Sequence, residues 1–459
     1  MKGDVRPSAT GAGSEATVAV ERMGLAGEGV GRWPDGRTAF VAGALPGEVV
    51  QARMVASHAS YVKSVAVGWL TTSPLRRAPR CPVYPACGGC ALQHWDYAAE
   101  LAYKQDRVRE ALRRIGQLED PPLKPILGAT EVFHYRNKGQ FPWAVRDGRP
   151  VLGLYQRDSH AVVPTDFCAI QDPAINRVLP VARDAAERLG IPVYEESSSR
   201  GVLRHLVVRS SRLEGKTLVL AVAARWDARL LQWAKVVFQE AEGVAGVGWN
   251  HQPDPGNRVL GHRTAVLVGR DHLEEEILGL RFSVSFTAFF QVHPQQVERL
   301  YATALEAAGP WLTRGEAWDL YAGVGTLAAL LAQKAPQVRA VEINPAAVAD
   351  ARTNFARNRL RNIRIEAAPA DQAVRRWAAE GPPPAVVVVD PPRRGLDPEV
   401  TRHLLATRPP AVVYVSCRPE TLARDLAQLT EAYTVQWVQP VDMFPRTDHV
   451  EAVAALRAR

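Results

Sequence analysis

Long apolar runs are missing from this chain. Nothing approaches the ~18 consecutive apolar residues of a membrane span, and the longest candidates, Thr217–Ala224 and Ala385–Val389, are strand-sized. Cysteine is scarce, five in 459 residues, with none left over for a disulfide framework, which argues for a reducing, cytoplasmic setting. Lysine is nearly as rare: eight lysines stand against 48 arginines. Arginine's planar fork suits phosphate and base edges, but the codon bias of a GC-rich genome is the simpler source of that ratio. There are no internal repeats and no low-complexity segments. The N-terminal Met1–Gly13 is short, polar and Gly/Ser-containing, and so reads as a frayed tail and not as a signal peptide.

What remains is an ordinary soluble composition, 47% apolar and 23% charged, in a chain long enough for roughly two to four domains. The net charge of +8 favours a polyanionic partner. Three regions differ in pattern. Residues 14–72 carry short β-rich segments, Thr17–Val20, Thr38–Val41, Val49–Ala56 and Val62–Leu70, with Gly-rich turns between them, which predicts a small OB-like barrel. Residues 73–281 begin with a Pro/Arg linker and continue into a helix over Tyr97–Ile115 with a basic face that includes Lys104. Two hairpins follow: Phe141–Val145 to Val151–Tyr155 about Asp147-Gly148, and Leu203–Ser210 to Thr217–Ala223 about Glu214-Gly215. Residues 282–459 alternate helices with short, continuously apolar strands, Ala317–Tyr321, Val338–Ile343, Ile363–Ala367, Ala385–Val389 and Ala411–Val415, as in a doubly wound parallel sheet.

The five cysteines divide between two chemistries. Cys81, Cys87 and Cys90 form C-x5-C-x2-C, and Cys168 stands alone downstream; four thiolates suit one metal cluster. Structural zinc also takes four ligands, but usually as two close pairs, whereas a triplet plus one distant cysteine argues for iron. Cys417 closes an apolar run in Val415-Ser-Cys-Arg-Pro419. A cysteine there is more often inert core. The turn and the adjacent Arg418 argue for a nucleophile, because nearby positive charge lowers a thiol's pKa.

In Asp319-Leu-Tyr-Ala-Gly-Val-Gly-Thr326, Gly323 and Gly325 permit close approach of a ligand to the backbone between the first strand and its helix. Glu342 ends the second strand, where an acid accepts hydrogen bonds from ribose hydroxyls, and Asp390-Pro-Pro-Arg-Arg394 closes the fourth. A dinucleotide enzyme is the alternative, with Ala328 at the third-glycine position. The Asp-Pro-Pro corner and the Ser-Cys strand end favour S-adenosylmethionine instead.

Taken with Phe289-Phe-Gln-Val292, Asp390-Pro-Pro-Arg-Arg-Gly395, Val415-Ser-Cys-Arg-Pro-Glu-Thr-Leu-Ala-Arg-Asp425 and Met443-Phe-Pro…His449-Val-Glu451, these motifs resemble the RNA 5-methyluridine methyltransferases. The resemblance extends along essentially the whole chain and is closest to the 23S ribosomal RNA branch, which carries an N-terminal TRAM domain and an iron–sulphur cluster. It implies a multidomain α/β protein with an OB-like TRAM barrel (14–72), an α+β central domain with the cluster (73–281) and a C-terminal Rossmann-like S-adenosylmethionine-dependent catalytic domain (282–459). It further implies that Gln291, Tyr321, Gly323, Glu342 and Asp390 contact S-adenosylmethionine, that Cys417 is the nucleophile and Glu451 the base, and that Cys81, Cys87, Cys90 and Cys168 hold a [4Fe–4S] cluster. Three positions depart from the family pattern: Arg418 where Asn is usual, Ala322 where Cys is frequent and His293 where Asn is frequent.

The implied chemistry is covalent. A thiolate adding at C6 of uracil makes C5 nucleophilic toward a methyl sulfonium, and a base then removes the C5 proton so that the cysteine is eliminated. His449 orients Glu451 or the uracil, or is structural. A uridine inside a folded stem is out of reach, so the target is flipped out or unpaired. Arg136, Lys138, Arg393 and Arg394 are the RNA-contact candidates, and Phe286, Phe289 and Phe290 are stacking candidates for which a core position is the favoured reading. The expected protein is a cytoplasmic monomer that acts on 23S ribosomal RNA. A tRNA T-loop enzyme is the competitor within the class, and a catalytically inactive RNA-binding protein the competitor outside it.

Overall fold

The computed structural model describes residues 13–459, so the N-terminal tail expected from the sequence lies outside them except for Gly13. The chain divides into two compact units. One comprises the residues up to Arg107 with Gln156–Ser159 and Arg446–Asp448; the other comprises Val108–Tyr155, His160–Pro445 and His449–Arg459.

In the first unit, β1 (Glu15–Met23), β2 (Gly29–Arg32), β3 (Thr38–Ala42), β4 (Val49–Ser57) and β5 (Tyr61–Thr71) close into a barrel in the order β1-β2-β3-β5-β4. The sequence predicts four of these strands and no strand over Gly29–Arg32. Gly29 and Gly31 instead lie in β2, where strand β1 comes so close that a Cβ on Gly31 would run into the Ala19 carbonyl. Val18, Val20, Val41, Val50 and Val62 fill the barrel. Helix α1 (Tyr97–Arg114) agrees with the expected span, but Lys104 is not on a solvated face. It is fully buried with Glu100, one turn away, at 2.8 Å.

The second unit contains two seven-stranded sheets. The first is built from β6 (Lys138–Arg146), β7 (Arg149–Tyr155), β8 (Val162–Pro164), β9 (Leu203–Ser211), β10 (Lys216–Ala223), β11 (Val244–His251) and β12 (Arg263–Gly269), in the order β12-β11-β10-β9-β6-β7-β8. Helices α2 (Pro173–Arg188) and α3 (Arg229–Glu240) pack on one face of it. Both expected hairpins form. Asp147 and Gly148 turn the first with φ of 51° and 76°, the double positive φ of a type I′ turn. A small hairpin, β13 (His272–Ile277) and β14 (Leu280–Ser285), leads to the second seven-stranded sheet.

That sheet follows α4 (Pro294–Leu312). It runs β15 (Ala317–Leu320), α5 (Thr326–Ala332), β16 (Val338–Glu342), α6 (Pro345–Arg357), β17 (Ile363–Ala367), α7 (Ala370–Glu380), β18 (Val386–Val389), α8 (Pro398–Thr407), β19 (Ala411–Ser416), α9 (Pro419–Leu429), β20 (Tyr433–Val441) and β21 (Glu451–Ala458). The strand order is β17-β16-β15-β18-β19-β21-β20, the first five parallel and β21 antiparallel to both its neighbours. Successive valines of β18 alternate between two cores, Val386 and Val388 on one face and Val387 and Val389 on the other. Burial on both faces explains the uninterrupted apolar strands. Strand β20 escapes a pattern reading because Gln436, Gln439 and Pro440 break its apolar run. The chain turns outward in opposite directions after β15 and β18, which opens a crevice at their carboxyl ends. No helix among the described residues is long and apolar enough to cross a membrane.

Candidate active site

A cavity of about 610 Å³ fills that crevice, and Cys417, Glu451, Asp390, Tyr321, Gly323, Glu342 and Gln291 all line it. All seven residues assigned to cofactor and catalysis by sequence therefore meet in one place, drawn from five strand ends and the loop before α4.

The loop after β15 is shaped by left-handed backbone: φ is 71° at Tyr321, 56° at Gly323 and 77° at Gly325. A positive φ at tyrosine is strained by about 1–3 kcal/mol, and here the Tyr321 and Ala322 N–H groups hold it by both donating to the Val341 carbonyl, at 3.1 and 3.0 Å. A Cβ on Gly325 would stand 2.6 Å from the Phe355 ring, whereas one on Gly323 would meet only open space. Glu342 fastens the loop from the neighbouring strand: its carboxylate accepts from the Gly323 N–H at 3.0 Å and from the Asn344 N–H at 2.9 Å.

Unpaired acceptors point to a cationic occupant. Asp319, at the end of β15, is buried, lines the cavity, and leaves Oδ2 without a hydrogen-bond partner; the Tyr321 hydroxyl is likewise buried and unpaired. Burial and the neighbouring Asp390 push the Asp319 carboxyl well above the usual range. Burial raises Asp390 to about 7, and burial together with Asp390 raises Glu451 to about 8. Three acids crowded in one pocket with little opposite charge suit a ligand that brings a sulfonium and an ammonium group, so the residues present fit S-adenosylmethionine. Asp319 is the site residue that the sequence reading quoted but did not assign; its signal was an acid ending the first parallel strand directly before the glycine loop.

The thiol environment corrects an expectation. Cys417 is partly exposed, and its pKa is raised, first by burial and then by Glu451 and Asp390; Arg393 is the cation that lowers it. Arg418 instead caps α9 with its backbone and reaches Glu420 at 3.5 Å. The residue next in sequence is exposed and pairs with Glu420, and the cation that acts on the thiol comes from the loop after β18. Ser416 Oγ closes the turn, accepting from the Arg418 N–H at 3.1 Å.

Around this core, Gln291 is buried and lines the cavity together with Tyr301. Phe289 is 70% exposed at the cavity wall, whereas Phe286 and Phe290 are core. His293 is buried, stacked on Tyr135 at 4.5 Å, and held neutral by burial, with its pKa lowered to about 4. His449 packs edge-on against Phe444 at 6.0 Å. Among the RNA candidates, Arg393 and Arg394 are exposed on the cavity rim. Arg136 donates to the Lys138 carbonyl at 3.0 Å, and Lys138 reaches the Ala288 carbonyl at 3.5 Å. Burial, Arg209 and Arg136 lower the Lys138 ammonium to about 7.

The five cysteines form no disulfide. In the first unit the Cys81 N–H donates to Gln93 at 3.1 Å, the Gly89 N–H points at Cys87 Sγ at 3.3 Å, and burial raises the Cys87 thiol with a smaller contribution from Cys81. In the second, Cys168 is buried and its backbone is held by Asn176 on both sides, at 2.9 and 3.1 Å. Among the described residues, no three His, Cys, Asp or Glu side chains gather as a metal ion requires.

Three family models match the chain: TRAM domain over residues 10–67, methyltransferase small domain over 287–406, and tRNA (uracil-5-)-methyltransferase over 383–459. An uncharacterised RNA methyltransferase of Halalkalibacterium halodurans is 38% identical over 448 residues, 96% of each chain. Another, of Gloeobacter violaceus, is 38% identical over 459 residues, 98% of each. Among solved structures, the tRNA (uracil-54, C5)-methyltransferase of Pyrococcus abyssi in complex with S-adenosyl-L-homocysteine matches with a TM-score of 0.74 and 24% identity, covering 96% of this chain and all of that one. That likeness is one of fold.

Proposed function

Since the chain belongs to the RNA 5-methyluridine methyltransferase family with a TRAM domain, and is accordingly an S-adenosylmethionine-dependent RNA uracil methyltransferase, we propose that it methylates C5 of a uridine in 23S ribosomal RNA through a transient bond between Cys417 Sγ and C6 of the ring. The observation that carries this reading is that Cys417 and Glu451 line the same cavity as the glycine loop and Asp390.

S-adenosylmethionine supplies the methyl group when bound. Gln291, Tyr321, Gly323, Glu342 and Asp390 would hold it, with Asp319 facing its positive charge. The partly exposed Cys417 thiol gives its proton to solvent and Sγ adds to C6, placing a pair of electrons across C5 and O4. C5 takes the methyl group as that group's bond to the sulfonium sulfur breaks and the sulfur leaves as a neutral thioether; Glu451 then accepts the C5 proton, and the electrons of the broken C5–H bond restore the ring double bond as Sγ leaves. A cation arriving beside Asp390 and Glu451 favours their ionised forms and so readies the base. Arg393 and Arg394 on the rim, and Arg136 beside them in role, are proposed to meet RNA phosphates. Phe289 is proposed as the stacking surface for an unpaired base.

We assign Cys81, Cys87, Cys90 and Cys168 to a [4Fe–4S] cluster on the sequence resemblance. The four thiols lie outside any disulfide, but among the described residues no three of them gather as a metal requires, so the assignment rests on the resemblance alone. The functional division stays at 14–72 for RNA binding, 73–281 for the cluster region and 282–459 for catalysis, in a cytoplasmic monomer.

A tRNA substrate is the second reading, favoured by the Pyrococcus protein, which by its description acts on tRNA and matches along its full length. Incubating the enzyme with ribosomal and tRNA transcripts, then mapping methylated uridines by mass spectrometry, decides between them. The proposal expects 5-methyluridine in the 23S transcript; modification confined to tRNA supports the second reading, and methylation at nitrogen or oxygen ends both.

A further inference from the structure

Asp425, eight residues beyond Cys417 on α9, has no part in the chemistry above, yet it is buried among the core side chains beneath the active site and gathers hydrogen bonds from three segments. Its Oδ2 accepts from the Leu396 N–H at 2.8 Å and from the Tyr414 hydroxyl at 2.7 Å. Its Oδ1 accepts from Arg424 Nε and Nη2 at 2.8 and 2.6 Å, and Arg424 Nη2 also donates to the Arg394 carbonyl at 2.8 Å. Tyr414 lies on β19, three residues before Cys417; Leu396 and Arg394 lie on the loop that leaves β18 after Asp390. One carboxylate therefore ties the strand that carries the thiol to the loop that carries Arg393. The loop is fitted closely to it. Gly395 has a φ of 84°, and a Cβ there would enter the space of the Asp425 carboxylate and of Arg424 Nη2, 2.5 Å away.

We infer that Asp425, seconded by Arg424, is a positioning residue that fixes the loop between Asp390 and Leu396 against β19 and thereby holds Arg393 where its charge acts on Cys417. A buried carboxylate with four accepted hydrogen bonds is a stiff anchor, because without it the buried Leu396 N–H and Tyr414 hydroxyl would be left unmatched. Its Oδ atoms accept backbone and side-chain donors together, so the loop and the strand move only as one. The inference rests on the assignment of Cys417 as the attacking thiol only for its effect on turnover.

The test is the pH dependence of Cys417 alkylation by iodoacetamide, followed at that residue by peptide mass spectrometry, in the full-length protein. Asp425→Asn, which replaces an accepting oxygen by a donor, is expected to raise the alkylation midpoint by about one pH unit and to lower kcat on the order of 10- to 100-fold, with S-adenosylmethionine binding retained. Arg424→Met, at an exposed position that leaves Asp425 in place, is expected to shift the midpoint in the same direction by less, and it serves where Asp425→Asn does not fold. The discriminating arm is Arg393→Met combined with Arg424→Met or Asp425→Asn. If the clamp acts through Arg393, the second substitution leaves the midpoint where Arg393→Met put it. An equal further shift in that background, or folded single variants with unchanged midpoints, overturns the inference. The alkylation readout needs no methyl transfer, so a Cys417→Ala variant that still methylates would sink the nucleophile assignment without touching this one.

Discussion

Arg393 lowers the pKa of the Cys417 thiol, although Arg418 stands next to that thiol in the chain. The pairing of Arg418 with Glu420 at 3.5 Å explains the exchange. Arg418→Asn, which restores the residue usual in the resembled family, is accordingly expected to leave the alkylation midpoint of Cys417 unchanged. Arg393→Met is expected to raise it, since removing a cation disfavours the thiolate. Midpoints that move with Arg418 and not with Arg393 would reverse the assignment.

Glu451 gives the account a pH signature. Its carboxyl is raised from 4.5 to about 8 in the open cavity, so it is mostly protonated below that pH and acts as a base only above it. The value of kcat/KM should therefore climb as pH rises through about 8 and go on climbing as the Cys417 thiol, itself raised by burial, loses its proton. The same shift weakens the fold as pH rises. A carboxyl whose folded pKa exceeds its unfolded one contributes stability that is fully present below 4.5 and lost as pH rises through about 8. Glu451→Gln should remove that part of the decline in Tm and stall the reaction with methylated RNA still attached to the enzyme. A kcat/KM profile identical in wild type and Glu451→Asp, or a Glu451→Gln enzyme that turns over normally, contradicts the assignment.

Phe289 is 70% exposed and packs little, so truncating it should leave Tm almost unchanged. Base stacking on an aromatic side chain contributes about 1–3 kcal/mol. Phe289→Ala is thus expected to raise the KM for RNA roughly 5- to 150-fold with S-adenosylmethionine affinity retained, measured by steady-state kinetics and calorimetry. Loss of cofactor binding with RNA binding intact would place the ring in the wrong subsite.

The cluster assignment predicts protein that is brown when purified without oxygen, with about four irons and four sulphides per chain. Cys81→Ser, Cys87→Ser, Cys90→Ser and Cys168→Ser should each bleach it. Colourless protein with one zinc would contradict the assignment.

Much of the catalytic half is legible in the sequence because its strands are buried on both faces, which leaves runs such as Val386–Val389, and because its motifs sit at strand ends that the topology brings together. The barrel strand Gly29–Arg32 is not legible, since glycines demanded by close strand packing look like turn glycines. Nor is the burial of Lys104, whose partner Glu100 lies one turn back in a helix that reads as solvated. Arg393 and Asp425 show the deeper limit. Adjacency in sequence nominated Arg418, but electrostatics and clamping depend on loops that meet only in three dimensions, and no local pattern reports that meeting.

The central claim is a covalent bond between Cys417 and C6 of the target pyrimidine. Substrate RNA carrying 5-fluorouridine, which has no C5 proton for Glu451 to take, should convert the enzyme in the presence of S-adenosylmethionine to a stable complex that survives denaturation. Mass spectrometry should find the methylated nucleotide on the Cys417 peptide. A trapped complex that forms equally with Cys417→Ala, or an active enzyme that never traps, would contradict the account.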